Sequence, residues 1–142
     1  MEQTKDDSKD LDPRREIGMA GEDLAAEHMR ELGWEVLHRN YTLKMGELDM
    51  VASRYGKVGH RMEQTLAFVE VKTKRTPLGP PPEASVNARK RGRLVRLAKV
   101  YLQKEKVRKV NVRFDVIAID LSGEEPKLTH FPCAFDADGR VW

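Results

Sequence analysis

Seven residues near the middle of the chain, Phe68-Val69-Glu70-Val71-Lys72-Thr73-Lys74, limit its fold more than any other stretch. Their β-branched and aromatic content is that of a strand. Side chains two apart on a strand share a face, so Glu70, Lys72 and Lys74 lie on one side with Phe68, and Val69, Val71 and Thr73 on the other. A carboxylate and an ammonium thus stand side by side in mid-strand, with an apolar face behind them. Taken alone, such a pair is an ordinary surface ion pair of small energetic value. Its meaning depends on what the rest of the chain brings beside it.

Residues 14–32 place Ile17, Ala20, Gly21, Leu24, Ala25, His28 and Leu32 at helical spacing, and Gly33 is positioned to stop that helix. Residues 34–37 and 48–52 have the alternation of short strands and can pair as a hairpin around the polar stretch 39–46. Residues 53–65, with Gly56 and Gly59, read as a loop, and residues 66–73 as the third strand of a meander. Four prolines and a glycine between Pro77 and Pro82 mark a stiff surface connection.

A long helix then carries Leu94, Leu97, Ala98, Tyr101 and Leu102 on its apolar stripe and Arg89, Lys90, Arg91, Arg93, Arg96 and Lys99 over its first half. Residues 112–119 make a fourth strand, and 128–135 a short edge strand. The order predicts an α/β domain: a mixed sheet with an N-terminal helix, a three-strand meander, a long basic helix and a fourth strand.

A chain of 142 residues suffices for one such domain, expected over residues 14–135. Residues 1–13 read as a disordered acidic tail and 136–142 as a C-terminal extension. Residues 1–12 sum to −3 against a whole-chain charge of +3, so the folded part holds the positive charge. A basic surface concentrates polyanions. Cys133 is the only cysteine, which excludes an intrachain disulfide and any multi-cysteine zinc site. The N-terminus has no apolar core of the signal-peptide kind, and no apolar run approaches membrane-spanning length. The expected setting is the cytoplasm, with no membrane partner.

In Gly46-Glu47-Leu48-Asp49-Met50-Val51, Asp49 shares a face with Glu47 and Val51. If this strand neighbours residues 66–73, Asp49 can lie across from Glu70. Two carboxylates at that separation stay ionised most readily around a cation, and hard divalent ions prefer such oxygen ligands. Lys72 beside them has its ammonium form favoured, which casts it as an electrostatic stabiliser that positions the attacking water. Gly18 and Gly21 would let the first helix lie close on the sheet and bring Glu22 to its edge.

Four motifs, Gly18-x-x-Gly21-Glu22, Gly46-Glu47-Leu48-Asp49, Phe68-Val69-Glu70-Val71-Lys72-Thr73 and Arg113-Phe114-Asp115-Val116, resemble those of the YraN-like family of bacterial proteins. That family is similar in motif order to archaeal-type Holliday junction resolvases and to the wider restriction-endonuclease-like, PD-(D/E)XK superfamily. The resemblance runs from about Ile17 to Phe135. It implies a restriction-endonuclease-like fold, Glu22, Asp49, Glu70 and Lys72 as catalytic residues, and Asp49, Glu70 and Glu22 as ligands of Mg²⁺ or Mn²⁺. Met45 stands where relatives tend to carry a basic residue, which removes one phosphate contact from the expectation.

The expected activity is endonucleolytic hydrolysis of a DNA phosphodiester, with branched or repair intermediates as substrates. Arg89, Lys90, Arg91, Arg93, Arg96 and Lys99 are the expected phosphate contacts, because six cations without an acid exceed what solubility needs. A homodimer would suit symmetrical cutting of a junction. The competing readings are a non-catalytic DNA-binding module and a protein-interaction domain on the same fold. Glu47 reads equally as a ligand or a solvated acid, and Asp115 as a structural partner of Arg113. His28, His38, His60 and His130 lack metal-ligand spacing and receive no role, and Trp34, Tyr41 and Tyr101 read as core or half-buried aromatics.

Overall fold

The computed structural model describes residues 13–137, with side chains described from Ala20 onward. The expected tails lie outside the described residues, apart from Pro13, which begins the first helix, and Asp136 and Ala137. Gly18 falls among the residues whose side-chain surroundings are not described. The elements run α1 (Pro13–Glu31), β1 (Glu35–Leu43), β2 (Gly46–Val58), β3 (Arg61–Lys74), a 3-10 turn (Pro82–Ser85), α2 (Ala88–Lys104), β4 (Asn111–Asp120) and β5 (Lys127–Phe135).

The five strands form one sheet in sequence order. The pairs β1–β2, β2–β3 and β4–β5 are antiparallel, and β3–β4 is parallel. A parallel pair needs a crossover, and α2 supplies it. The architecture is α/β, with helices on both faces of a mixed sheet.

Alternation along the strands divides the apolar side chains into two cores. On one face, Ala25, Ala26 and Met29 of α1 meet Met50, Ala52, Ala67, Val69, Val71, Ile117 and Ile119. On the other, Leu94, Val95, Leu97, Ala98 and Tyr101 of α2 meet Val51, Leu66, Phe68, Phe114 and Val116. The fit of α1 is tight at Gly21, where a Cβ would collide with Thr73 Oγ1. Helix α1 ends as its sequence requires: Gly33 has φ +95, and Trp34 N–H returns to Met29 O at 3.0 Å.

Two expectations need correction. Residues 53–65 form no loop; β2 and β3 continue as a paired ribbon out to Val58↔Arg61. Gly59 (φ +66) makes the turn, whereas Gly56 sits inside the strand. The polar sequence misleads because this ribbon extends past its neighbours, so alternation has no core to report. Likewise, residues 39–43 belong to β1, which carries a register shift between Val36 and His38 and a left-handed Asn40 (φ 53). The edge strand β5 spans nine residues.

The aromatics expected in the core are there: Trp34 and Tyr101 are buried and Tyr41 is half-buried. Two guanidinium groups stack on Trp34, Arg54 at 4.2 Å and Arg113 at 4.6 Å from its ring centre. No helix among the described residues is long and apolar enough to cross a membrane.

Candidate functional site

The site sits where β2 leaves β3. Their ladder ends at Met50↔Val69, so the next β3 amide that would face β2 lacks a backbone acceptor. Asp49 fills the gap: Val71 N–H donates to Asp49 Oδ2 at 2.9 Å. Here strict parity breaks, because Leu48 packs with Val51 and Phe68 while Met50 packs on the α1 face. Beside Asp49, Glu70 is 7% exposed. Lys72 Nζ lies 3.1 Å from Glu70 Oε2.

Burial is the largest influence on Asp49 and, with the neighbouring Glu70 carboxylate, pushes its pKa up to about 7; the field of Glu22 acts in the same direction, against the Val71 amide. For Lys72, burial opposes the ammonium, but a hydrogen bond with Lys90 and the charges of Glu70 and Asp49 outweigh it and raise its pKa. Lys90, reaching in from α2, is shifted down, first by that bond to Lys72, then by burial and by the Lys72 charge. The structure therefore joins Asp49, Glu70, Lys72 and Lys90 directly. Glu22 contributes through its field on Asp49.

Asp49 binds its proton more tightly in the folded protein than in the unfolded chain. Its ionisation therefore costs stability as pH rises from its ordinary 3.8 toward about 7. In metal-free protein, Asp49→Asn should flatten a fall in Tm with pH across that window. A parental Tm profile in the Asn variant would refute the assignment.

Among the described residues, no group of three or more His, Cys, Asp or Glu side chains is arranged to hold a metal ion. The donor set at the site is a carboxylate pair with a third acid standing off. Mg²⁺ keeps several waters and takes one or two carboxylates, so Asp49 and Glu70 fit a hard divalent cation of that kind.

The basic face of α2 divides. Arg89, Lys90, Arg93 and Arg96 line one hollow with Ser85 and Asn87 at the start of the helix. Arg93 Nη2 also donates to Met45 O at 3.1 Å, so a guanidinium stands at the position where Met45 itself offers no positive charge. Lys99 is exposed further along. Arg91 turns elsewhere: its Nη1 donates to Val86 O at 2.9 Å, and it lines a hollow with Phe131 and Phe135 of β5. Glu47 is exposed, with Thr42 Oγ1 donating to it at 3.3 Å.

Sequence reasoning missed a second polar cluster, on the α1 face. Asp115, at 0% exposure, accepts from Arg113 Nε at 3.0 Å and Nη2 at 2.8 Å, pairs with His130 Nε2 at 2.7 Å, and accepts Cys133 N–H at 3.2 Å. His130 Nδ1 meets His28 Nε2 at 3.0 Å. The structural role expected of Asp115 is what these contacts provide. His28 had one visible signal, its place on the apolar stripe of α1. His130, 102 residues away, could not be paired with it from spacing.

Fold and site define a class: a mixed α/β domain, consistent with a nuclease-like fold, with a carboxylate–lysine cluster where β2 parts from β3. The model of the uncharacterised protein family UPF0102 matches residues 21–119, and the chain belongs to that family. A UPF0102 protein of Syntrophotalea carbinolica is 40% identical over 126 residues, covering 89% of this chain and 96% of that protein. One from Myxococcus xanthus is 40% identical over 124 residues, covering 87% and 92%. One from Anaeromyxobacter dehalogenans is 37% identical over 131 residues, covering 92% of each.

Proposed function

We propose that this domain is a divalent-metal-dependent endonuclease that hydrolyses DNA phosphodiesters in the cytoplasm, with branched or repair intermediates as substrates. The observation that carries the reading is the meeting of Asp49, Glu70 and Lys72 where the β2–β3 ladder ends, beside a helix face of Arg89, Lys90, Arg93 and Arg96. Asp49 and Glu70 would hold Mg²⁺ or Mn²⁺, with Glu22 nearby, and the ion would supply an activated water and screen the phosphate charge. Lys72, fixed by Glu70 and kept as an ammonium, offers a positive charge to a non-bridging phosphate oxygen or to the attacking water. Lys90 approaches Lys72 from the helix side. The arginines of α2 hold the flanking backbone, which fixes register without reading bases.

A panel of linear and branched DNAs, incubated with each metal and with a chelator, tests the reading. Metal-dependent cleavage, absent in Asp49→Ala, is the expected result. Binding should weaken steeply with salt, and reversing Arg89, Arg93 and Arg96 to glutamate should lower the log–log salt slope by about three, roughly one per phosphate contact. A second reading, a DNA-binding module without catalysis, draws on the lack of a three-ligand group among the described residues. Salt-sensitive binding that ignores the chelator, with no cleavage of any substrate, would establish it.

A further inference from the structure

The ribbon formed by the outer halves of β2 and β3 has no part in the site. Its partners stop short: β1 pairs β2 only to Ser53, and β4 begins beside Thr65. Beyond them, Tyr55↔Gln64 through Val58↔Arg61 form a two-stranded arm. The arm carries large apolar side chains in the open, with Tyr55 68% and Met62 66% exposed.

Strand alternation puts Tyr55 and Lys57 on the side of Val51, and Met62 and Gln64 on the side of Leu66 and Phe68. That is the face covered by α2. Lys57 lies directly opposite Met62 and Tyr55 opposite Gln64, so these four side chains make one acid-free patch. From Met50 to Met62 the chain carries Arg54, Lys57, His60 and Arg61 and no acid. The next acid along the chain, Glu63, is on the other face, where Asn111 Nδ2 donates to it at 2.7 Å and ties the arm's base to β4.

The direction of α2 connects this arm to the site. Lys90 near its start meets Lys72, and Tyr101 near its end meets Phe68, which pairs with Val51 four residues short of the Tyr55↔Gln64 pair where the arm begins. The exposed cations Arg89, Arg93, Arg96 and Lys99 recur every three or four residues, so they form a stripe leading from the carboxylates toward the arm. Asp49 and Tyr55 are six residues apart on β2, a rise of about 20 Å. A DNA strand covers that distance in about six nucleotides at roughly 3.4 Å each.

We propose that the β2–β3 arm is a second DNA contact: a two-stranded ribbon that enters a groove of the duplex about six base pairs from the carboxylates. The proposal rests on the nucleic-acid reading of the site. Charge complementarity selects the occupant. A basic ribbon with one aromatic and one flexible apolar side chain on its acid-free face suits a polyanion with stacked bases, and a major groove admits such a ribbon. Lys57 and Arg61 meet phosphates on the groove walls, while Tyr55 and Met62 meet sugars and base edges.

Equilibrium binding of a fluorescent duplex across a salt series tests this with two variants of the full chain. Lys57→Gln/Arg61→Gln is expected to lower the log–log salt slope by about two. Tyr55→Thr/Met62→Thr keeps strand-forming residues in exposed positions and is expected to weaken binding roughly tenfold with the slope unchanged. If the parent binds with a steep salt dependence and both variants match it, the arm is no DNA contact and the site reading stands. If the parent shows no salt-sensitive binding, both fail together. If the Tyr55/Met62 variant instead changes the sedimentation of a parental oligomer and leaves DNA affinity alone, the patch joins copies of the chain and the proposal is overturned.

Discussion

Lys72→Ala is expected to retain metal and DNA binding while cutting about 10²- to 10³-fold more slowly than the parent in single turnovers, the loss typical of one preorganised electrostatic group. The side chain is held by Glu70, 3.1 Å away. An ammonium so placed reorganises little when negative charge develops on a phosphate, so its effect falls on the transition state more than on the ground state. Asp49→Ala should behave differently, losing metal affinity along with cleavage. Metal titration and single-turnover rates on the same two variants separate the roles. Parental cleavage by Lys72→Ala would reduce Lys72 to an ion-pair partner and end the mechanism given for it.

The second large effect is on stability. Asp115→Asn should cost about 3–5 kcal/mol, the usual penalty for breaking a buried ion pair by removing one partner. Burial alone would raise the Asp115 pKa, but His130, Arg113 and the Cys133 amide together outweigh burial and hold it below the ordinary value. A carboxylate with a depressed folded pKa gives its full stabilisation above its unfolded value and loses it as pH falls through the folded one. The acid limb of the stability curve should therefore shrink in Asp115→Asn, while salt-sensitive DNA binding of the folded protein persists. Denaturant unfolding at neutral pH and at low pH measures both effects. A loss near zero at neutral pH would show that Arg113 and His130 find water or other partners without cost.

Asp49 and Asp115 show what a sequence reveals and what it hides. Strand parity was enough to place Glu70 beside Lys72 on one face, because that rule is local. Asp49 was rightly drawn to Glu70, but through a different geometry: it replaces a missing backbone acceptor for Val71, which parity cannot foresee. Lys90 was hidden within a run of cations whose individual directions depend on how α2 lies on the sheet. The relay from Asp115 through His130 to His28 joins β4, β5 and α1 and has no signature in spacing. The β2–β3 arm failed for the opposite reason, since exposed strands lack the apolar alternation by which strands are recognised.

The position of Trp34 also gives the protein an internal optical gauge. The chain has two tryptophans, and this one is 3% exposed with two guanidinium groups against its indole. One guanidinium belongs to Arg54 at the root of the arm and the other to Arg113, the partner of Asp115. Emission from an indole depends on nearby charge and on contact with water, so a change at either arginine registers in the same ring. The arm and the buried aspartate, far apart in the sequence, thus share one native fluorophore.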